Sequence, residues 1–229
     1  MSQADTWHGR RAVVVGAQGG VGSLITQKLR ERGAHVVAMV RKAYTDPAAD
    51  LEVVLSPLAD PPSVVEACRQ AAQGPIDALF VASGAYVGGT SIEATPPDVF
   101  EHLLWTNARL PYYLLQGLLG PLRERRGRAV LIGALAAEDP RAGQAAYAMS
   151  KAALHSMVRS AARELQGSGA TINALLPSVI DSSENREAMP KTDPSLWVSP
   201  ERLADLALSL AESSASDLQG ALIAVRGGL

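Results

Sequence analysis

Tyr147 and Lys151 are the residues of this chain best suited to move a proton. A spacing of four puts them one turn apart on the same face of a helix. A phenol with an ordinary pKa of about 10 is a poor acid or base near neutral pH. An ammonium fixed close by favours the phenolate and lowers that value. Such a pair could deliver a proton to a substrate oxygen or nitrogen, or remove one. The same spacing also describes a solvated lysine beside a half-buried tyrosine, so the surrounding elements must decide.

The chain as a whole bounds those elements. Its 229 residues suit one α/β domain, residues 1–229, and 47% hydrophobic content supplies a substantial core. A net charge of −2 gives no electrostatic reason for nucleic-acid binding. Cys68 is the sole cysteine, which excludes an intrachain disulfide. Met1 to Arg11 carries no apolar signal region, and no apolar run nears the ~18 residues of a membrane helix. The expectation is a soluble cytoplasmic protein with a small-molecule substrate, no nucleic-acid or membrane partner and no metal site.

Arg11 to Gly16 reads as a buried strand ending in glycine. Gly16-Ala17-Gln18-Gly19-Gly20-Val21-Gly22 follows, then a helical pattern with Leu24, Ile25 and Leu29 on one face, then a strand from His35 to Val40. A glycine-rich turn between strand and helix lets the backbone approach a pyrophosphate, whose charge is favoured at the helix N-terminus. Glycines also permit tight turns without a ligand. Strand before, helix after and a second strand in sequence favour dinucleotide binding, with Gln18, Gly19 and Val21 filling the turn.

Gly16, Gly20 and Gly22 are spaced Gly-x-x-x-Gly-x-Gly. Together with Tyr147 and Lys151, this pattern resembles the short-chain dehydrogenase/reductase family over essentially the whole chain. The resemblance implies a single Rossmann-type doubly wound parallel sheet of about seven strands with helices on both faces. It implies Tyr147 as proton donor, Lys151 as the group that lowers its pKa and binds the nicotinamide ribose, and a homodimer or homotetramer. It also implies that Asn107, within the long helical pattern from Pro97 to Leu119, holds a water that links the lysine to solvent through a helix irregularity. A mid-helix asparagine is mildly unfavourable by propensity, an independent hint of a role. Trp105, Tyr112 and Tyr113 read as packing or interface residues.

The end of the second strand selects the cofactor. An acid there would bind the ribose 2′-hydroxyl of NAD and repel a 2′-phosphate. Val40-Arg41-Lys42 has no acid and two cations, and Arg41 can pair with phosphate in a fork. NADP(H) is therefore predicted over NAD(H), although both cations could be ordinary surface residues. After the third strand, Leu51 to Leu55, Pro57 stands where the family has an aspartate near the adenine. That leaves adenine recognition to backbone and apolar contacts.

A helix is expected over Ser63 to Gln73 behind Asp60-Pro61-Pro62, then a fourth strand over Asp77 to Ala82. In place of the family's Asn-Asn-Ala-Gly the chain has Ala82-Ser83-Gly84-Ala85, then Tyr86-Val87-Gly88-Gly89. This stretch looks like the dihydropteridine reductases within the family. Tyr86 could stack on a flat substrate ring, or merely cover the sheet end.

After the fifth strand, Arg128 to Gly133, the family places a serine that holds the substrate carbonyl oxygen. Here that position is Ala134, and no serine or threonine occurs between Gly133 and Tyr147. Losing such a donor costs about 100-fold or more where the chemistry needs it. Dihydropteridine reductases resemble the chain here too. A quinonoid ring regains aromaticity on accepting hydride and needs less carbonyl polarisation.

Thr171 to Leu176 leads into Pro177-Ser178-Val179-Ile180-Asp181-Ser182. By the resemblance, Ile180 backbone groups hold the nicotinamide carboxamide and Ser182 stands near the pyrophosphate. Asn185-Arg186, Met189-Pro190, Asp193 and Trp197 then follow in the order of the dihydropteridine reductase substrate loop. Mixed polar, Met and Pro content suggests a loop that closes over a ligand, or a surface excursion anchored by Trp197. A helix from Pro200 to Ser213 and a last strand from Ala221 to Val225 complete the expectation.

The sequence reading is an NADPH-dependent oxidoreductase acting on a small conjugated, quinonoid, imine or carbonyl compound. The substrate is bound near Ala134, Tyr86, Asn185, Met189 and Trp197. Two rivals stay open: an ordinary ketone reductase or alcohol dehydrogenase, and a non-redox enzyme or cofactor-binding protein on the same fold.

Overall fold

The computed structural model describes residues 7–43, 47–55, 60–212 and 215–228. Pro57 and Leu58, at the expected adenine position, lie outside the described residues, as does Ser213.

Valine-rich runs form the centre of the molecule because residues buried on both faces need no polar alternation. The strands are β1 (Arg11–Val15), β2 (His35–Val40), β3 (Leu51–Val54), β4 (Ala78–Val81), β5 (Arg128–Ile132), β6 (Thr171–Pro177) and β7 (Leu222–Val225). They pair in the order β3-β2-β1-β4-β5-β6-β7, all parallel. Successive residues of each strand serve opposite layers. Val13 and Val15 pack with α2 (Pro61–Ala71), α4 (Leu110–Glu124) and α5 (Ala145–Glu164). Ala12 and Val14 pack with α1 (Gly20–Glu31) and α7 (Pro200–Leu210). The expected Rossmann-type sheet with helices on both faces is therefore the observed fold.

Helix starts follow local chemistry. Asp60 caps α2 by accepting a hydrogen bond from the Ser63 amide at 2.9 Å, so the helix begins at Pro61, two residues earlier than expected. The helical stretch from Pro97 is not continuous. It comprises α3 (Pro97–Leu104), a π-helical turn (Trp105–Arg109) and α4. Pro111 has no N–H to give the Asn107 carbonyl, and its ring crowds that carbonyl in a regular helix. The wider turn relieves the conflict: the Leu110 amide bonds instead to the Trp105 carbonyl.

Strand order reverses between β1 and β4. In an open parallel sheet, ligands bind outside the carboxyl ends of the strands at such a switch point.

Candidate active site

The carboxyl end of β1 turns at Gly16, whose φ of 81° suits glycine. A β-carbon there would lie 2.7 Å from the Ser83 amide nitrogen, at the end of the neighbouring β4. Gly22, two residues into α1, is pressed against the same turn. Its β-carbon would meet the Gly16 carbonyl oxygen at 2.1 Å. Gly20 faces open space instead. Gln18 donates from its amide nitrogen to the Lys42 carbonyl, which ties the glycine turn to the end of β2. Arg41 and Lys42 are exposed there, and Gly19 and Val21 complete the turn. Ser83 Oγ is buried without a hydrogen-bond partner among the described residues. Close-packed glycines, an unpaired hydroxyl and two exposed cations fit a dinucleotide laid across the ends of β1, β2 and β4.

Beyond β4, Ala82, Ser83 and Gly84 lead to a clamp made by Asn107. This residue is fully buried in the π-helical turn. Its Oδ1 accepts from the Ala85 amide at 3.0 Å, and its Nδ2 donates to the Ala85 carbonyl at 2.9 Å. The second Nδ2 hydrogen goes to Ser150 Oγ at 3.0 Å, and Ser150 donates to the Tyr147 carbonyl at 2.7 Å. Asn107 thus joins the loop after β4 to α5. Its side-chain amide is consumed by the protein, while Pro111 denies its carbonyl the usual amide partner four residues on.

Tyr147 and Lys151 project from α5 into this region. Lys151 is buried and donates from Nζ to the Ile132 carbonyl at 2.9 Å. Gly84 makes room for it: a β-carbon there would lie 3.2 Å from Nζ. Burial pushes the ammonium down to about 8. Burial, and then the neighbouring Tyr86, push the Tyr147 phenol up from its ordinary value. The lowering expected from Lys151 is not met in this arrangement, because the amine faces Ile132 and desolvation of the phenolate dominates. Tyr147 is held as a neutral O–H, the form a donor requires.

Tyr86 stands edge-on to Tyr147 with ring centroids 4.8 Å apart at 85°. It is 49% exposed, and its hydroxyl accepts from Gln144 Nε2 at 3.3 Å. Ala134 is buried at the end of β5, with no side-chain donor, and its amide is turned inward to His155.

A family model described as short chain dehydrogenase matches residues 10–193. The chain belongs to the short-chain dehydrogenase family. A rhamnolipid-biosynthesis 3-oxoacyl-[acyl-carrier-protein] reductase of Pseudomonas aeruginosa is 31% identical over 247 residues, covering 96% of each chain. A solved short chain dehydrogenase/reductase family protein superposes with a TM-score of 0.87 at 27% identity, covering 96% of this chain and 97% of its own. A 3-oxoacyl (acyl-carrier-protein) reductase of Agrobacterium tumefaciens C58 with NADP bound gives 0.84 at 26% identity, covering 99% and 96%. The protein is accordingly an oxidoreductase of this family with a nicotinamide cofactor.

The remaining predicted residues of this short-chain dehydrogenase lie in the segment after β6. Pro177 ends β6, and the Ser178 amide continues the ladder to Val225. Ile180 bridges to Val198. Ser182 caps α6 (Ser183–Ala188) by accepting from the Asn185 amide at 3.2 Å. Asn185 spends its amide on the Ile180 carbonyl at 2.8 Å, and Arg186 grips Asp181 through two hydrogen bonds. Met189 and Trp197 share a cavity of about 250 Å³ with Arg186 and Pro194. Trp197 is buried, so it both anchors the segment and walls this cavity. The expected loop is in fact a short helix and a 3₁₀ turn (Pro194–Leu196).

Four residues of the site escaped the sequence reading: Glu138, Gln144, Ser150 and His155. One signal was available. Tyr147, Lys151 and His155 form a continuous stripe at intervals of four.

Among the described residues, no helix is long and apolar enough to cross a membrane, and no cluster of His, Cys, Asp or Glu could hold a metal ion.

Proposed function

We propose that this chain, acting as one dinucleotide-binding domain, is an NADPH-dependent reductase with Tyr147 as the proton donor. Its substrate is a small conjugated, quinonoid, imine or carbonyl compound. The observation that carries this reading is the donor set. Ala134 offers no hydroxyl, and its amide is committed to His155, which leaves proton donation to a tyrosine, and the neutral Tyr147 phenol is the one on the same helix face as Lys151. A site without the hydroxyl at Ala134 suits an acceptor that takes hydride without strong polarisation, as a quinonoid dihydropterin does.

The dinucleotide would lie over Gly16, Gly20 and Gly22, with Arg41 and Lys42 at a ribose 2′-phosphate and Lys151 at the nicotinamide ribose. Ile180 and Ser182 would flank the nicotinamide end. When bound, the reduced nicotinamide supplies the hydride. Tyr147 gives its proton to the substrate oxygen or nitrogen and is reprotonated from solvent. Tyr86 and Trp197 offer flat or apolar walls, with Asn185 and Met189 nearby. An apolar groove of about 400 Å³ beside Ile92, Phe100 and Met149 lies on another side of α5 and supports assembly into a homodimer or homotetramer.

The test is nicotinamide oxidation with freshly generated quinonoid dihydropterin. Saturable turnover faster with NADPH than with NADH is expected. Turnover preferring NADH would overturn the role of Arg41 and Lys42. Failure with quinonoid, imine and conjugated carbonyl acceptors alike, despite NADPH binding, would overturn the reductase reading.

The named relatives that act on 3-oxoacyl groups favour a second reading, an ordinary carbonyl reductase. Ala134→Ser separates the two. Under the second reading, ketone reduction should rise by about 10- to 100-fold in kcat/KM as a second donor reaches the carbonyl. Under the first, dihydropterin turnover should change little.

A further inference from the structure

His155 is a titratable side chain that the proposed chemistry does not use, yet it lies under the active-site floor. Only 2% of it is exposed. It sits on the same stripe of α5 as Tyr147 and Lys151. Its Nδ1 is 2.8 Å from Glu138 Oε1, and its Nε2 is 3.3 Å from the Ala134 amide nitrogen. A carboxylate only accepts and a backbone amide only donates. The ring must therefore donate from Nδ1 to Glu138 and accept at Nε2 from Ala134. One neutral tautomer satisfies both partners.

The fit around the ring is close. A β-carbon on Gly133 would come within 2.6 Å of His155 Nε2. Glycine at 133 and histidine at 155 thus form a matched pair. The same few residues of β5 are also held by the catalytic helix through Lys151, which binds the Ile132 carbonyl at 2.9 Å, and by β6, where the Gly133 amide reaches the Leu175 carbonyl at 2.8 Å. α5 therefore grips the end of β5 at two points, Ile132 and Ala134. Both grips can titrate, but only one breaks: a neutral amine still donates to Ile132, whereas a protonated ring cannot accept from Ala134.

We propose that His155 is a positioning residue: bridged to Glu138, its neutral ring fixes the main chain at Ala134 and thereby the substrate floor beside Tyr147. The catalytic part of this inference rests on the reductase reading; the tautomer and the grip on Ala134 do not. A protonated ring carries hydrogens on both nitrogens and cannot accept from Ala134. Acid therefore replaces the Ala134 bond with two opposed donors, while the bond to Glu138 strengthens. The charged groups around the ring are Glu138, which follows the 3₁₀ turn Leu135–Ala137 after β5, and Lys151 and Arg159 from the adjoining turns of α5. Burial foremost holds the imidazole below its ordinary 6.5; Lys151 and Arg159 act the same way, and Glu138 opposes them. The neutral, gripping form is thus the one present near neutral pH. The unfolded chain binds a proton at His155 first as pH falls through 6.5. Stability linked to this residue is therefore full above that pH and declines below it.

The experiment is a pH profile of kcat/KM for the wild type, His155→Leu, His155→Gln and Glu138→Gln. Glutamine can accept from Ala134 and donate to Glu138 but does not titrate. The wild type should show an acid limb below pH 6.5, falling toward the level of His155→Leu as the grip on Ala134 is lost. His155→Leu should lose about tenfold or more across the range. His155→Gln should recover most of that loss and lack the limb. Glu138→Gln should move the limb to lower pH, since the carboxylate favours the charged ring. A limb that survives in His155→Gln, or moves upward in Glu138→Gln, overturns the proposal. A purely structural role would lower melting temperature in these variants and leave the limb where it was.

Nitrogen NMR of the unliganded wild type decides the geometric part without turnover. The ring should titrate from the Nδ1-protonated tautomer, with the Ala134 amide signal following the same curve. An Nε2-protonated ring, or an Ala134 amide indifferent to that titration, overturns the inference even if no substrate has been found.

Discussion

Tyr147→Phe is expected to lower kcat for NADPH-dependent reduction by about 10²- to 10⁴-fold, the usual worth of a positioned proton donor. Phenylalanine keeps the ring that stands edge-on to Tyr86 at 4.8 Å, so packing between the two survives. The hydroxyl alone is lost. Because burial and Tyr86 push the phenol up, the wild-type donor stays protonated throughout the neutral range. The ratio of wild-type to variant rates should therefore stay constant there, with no point at which the variant catches up. Steady-state rates over that range, together with NADPH fluorescence titration, measure both halves of the prediction. NADPH should still bind, because the glycine turn and the β2 end are untouched. A variant that retains full turnover would remove Tyr147 from the chemistry.

Gly22→Val should abolish useful dinucleotide binding. The first atom added would sit 2.1 Å from the Gly16 carbonyl oxygen and 2.8 Å from the Gly16 carbonyl carbon. Both are backbone atoms in the turn that must cradle the pyrophosphate, so no flexible side chain can yield. The turn or the first turn of α1 has to move. A displacement near 1 Å in a positioned site costs roughly 100-fold, and overpacking a tight contact costs about 1–3 kcal/mol. NADPH affinity should fall by about two orders of magnitude, and melting temperature should drop as well. Gly20→Val is the informative companion. Beyond its chain neighbours and its own helix backbone, none of the described residues lies within 4 Å of a β-carbon at Gly20, so stability should hold while affinity falls. Equal stability losses in the two variants would show that the turn is built for packing and not for a ligand.

The two glycines show how differently sequence and structure speak. Their spacing after a valine-rich strand announced a dinucleotide turn, but not which one the chain itself requires. That distinction depends on a carbonyl only 2.1 Å from a hypothetical atom. The long helical pattern from Pro97 gave a similar lesson. Its apolar periodicity was legible, and so was the oddity of Asn107. The π-helical turn that clamps Ala85 arises from Pro111 meeting the Asn107 carbonyl, a conflict that periodicity does not register. Asn185 and Trp197 looked alike as members of one substrate segment. In three dimensions Asn185 is bound to the Ile180 carbonyl and Trp197 is buried.

By itself the sequence determined the parallel sheet, the place of the glycine turn, the shared helix of Tyr147 and Lys151 and the absence of a hydroxyl at Ala134. Each follows from local rules: β-branched runs bury on both faces, glycine admits tight turns, and residues four apart share a helix face. Only the tertiary structure decided what those groups do to one another. It raised the Tyr147 phenol where the spacing argument lowered it, because desolvation depends on every neighbour and not on one. It also brought Glu138, His155 and Ala134 together from three separate elements, through bonds whose partners lie 17 and 21 residues apart. Contacts of that kind are fixed by how α5 packs on the end of β5.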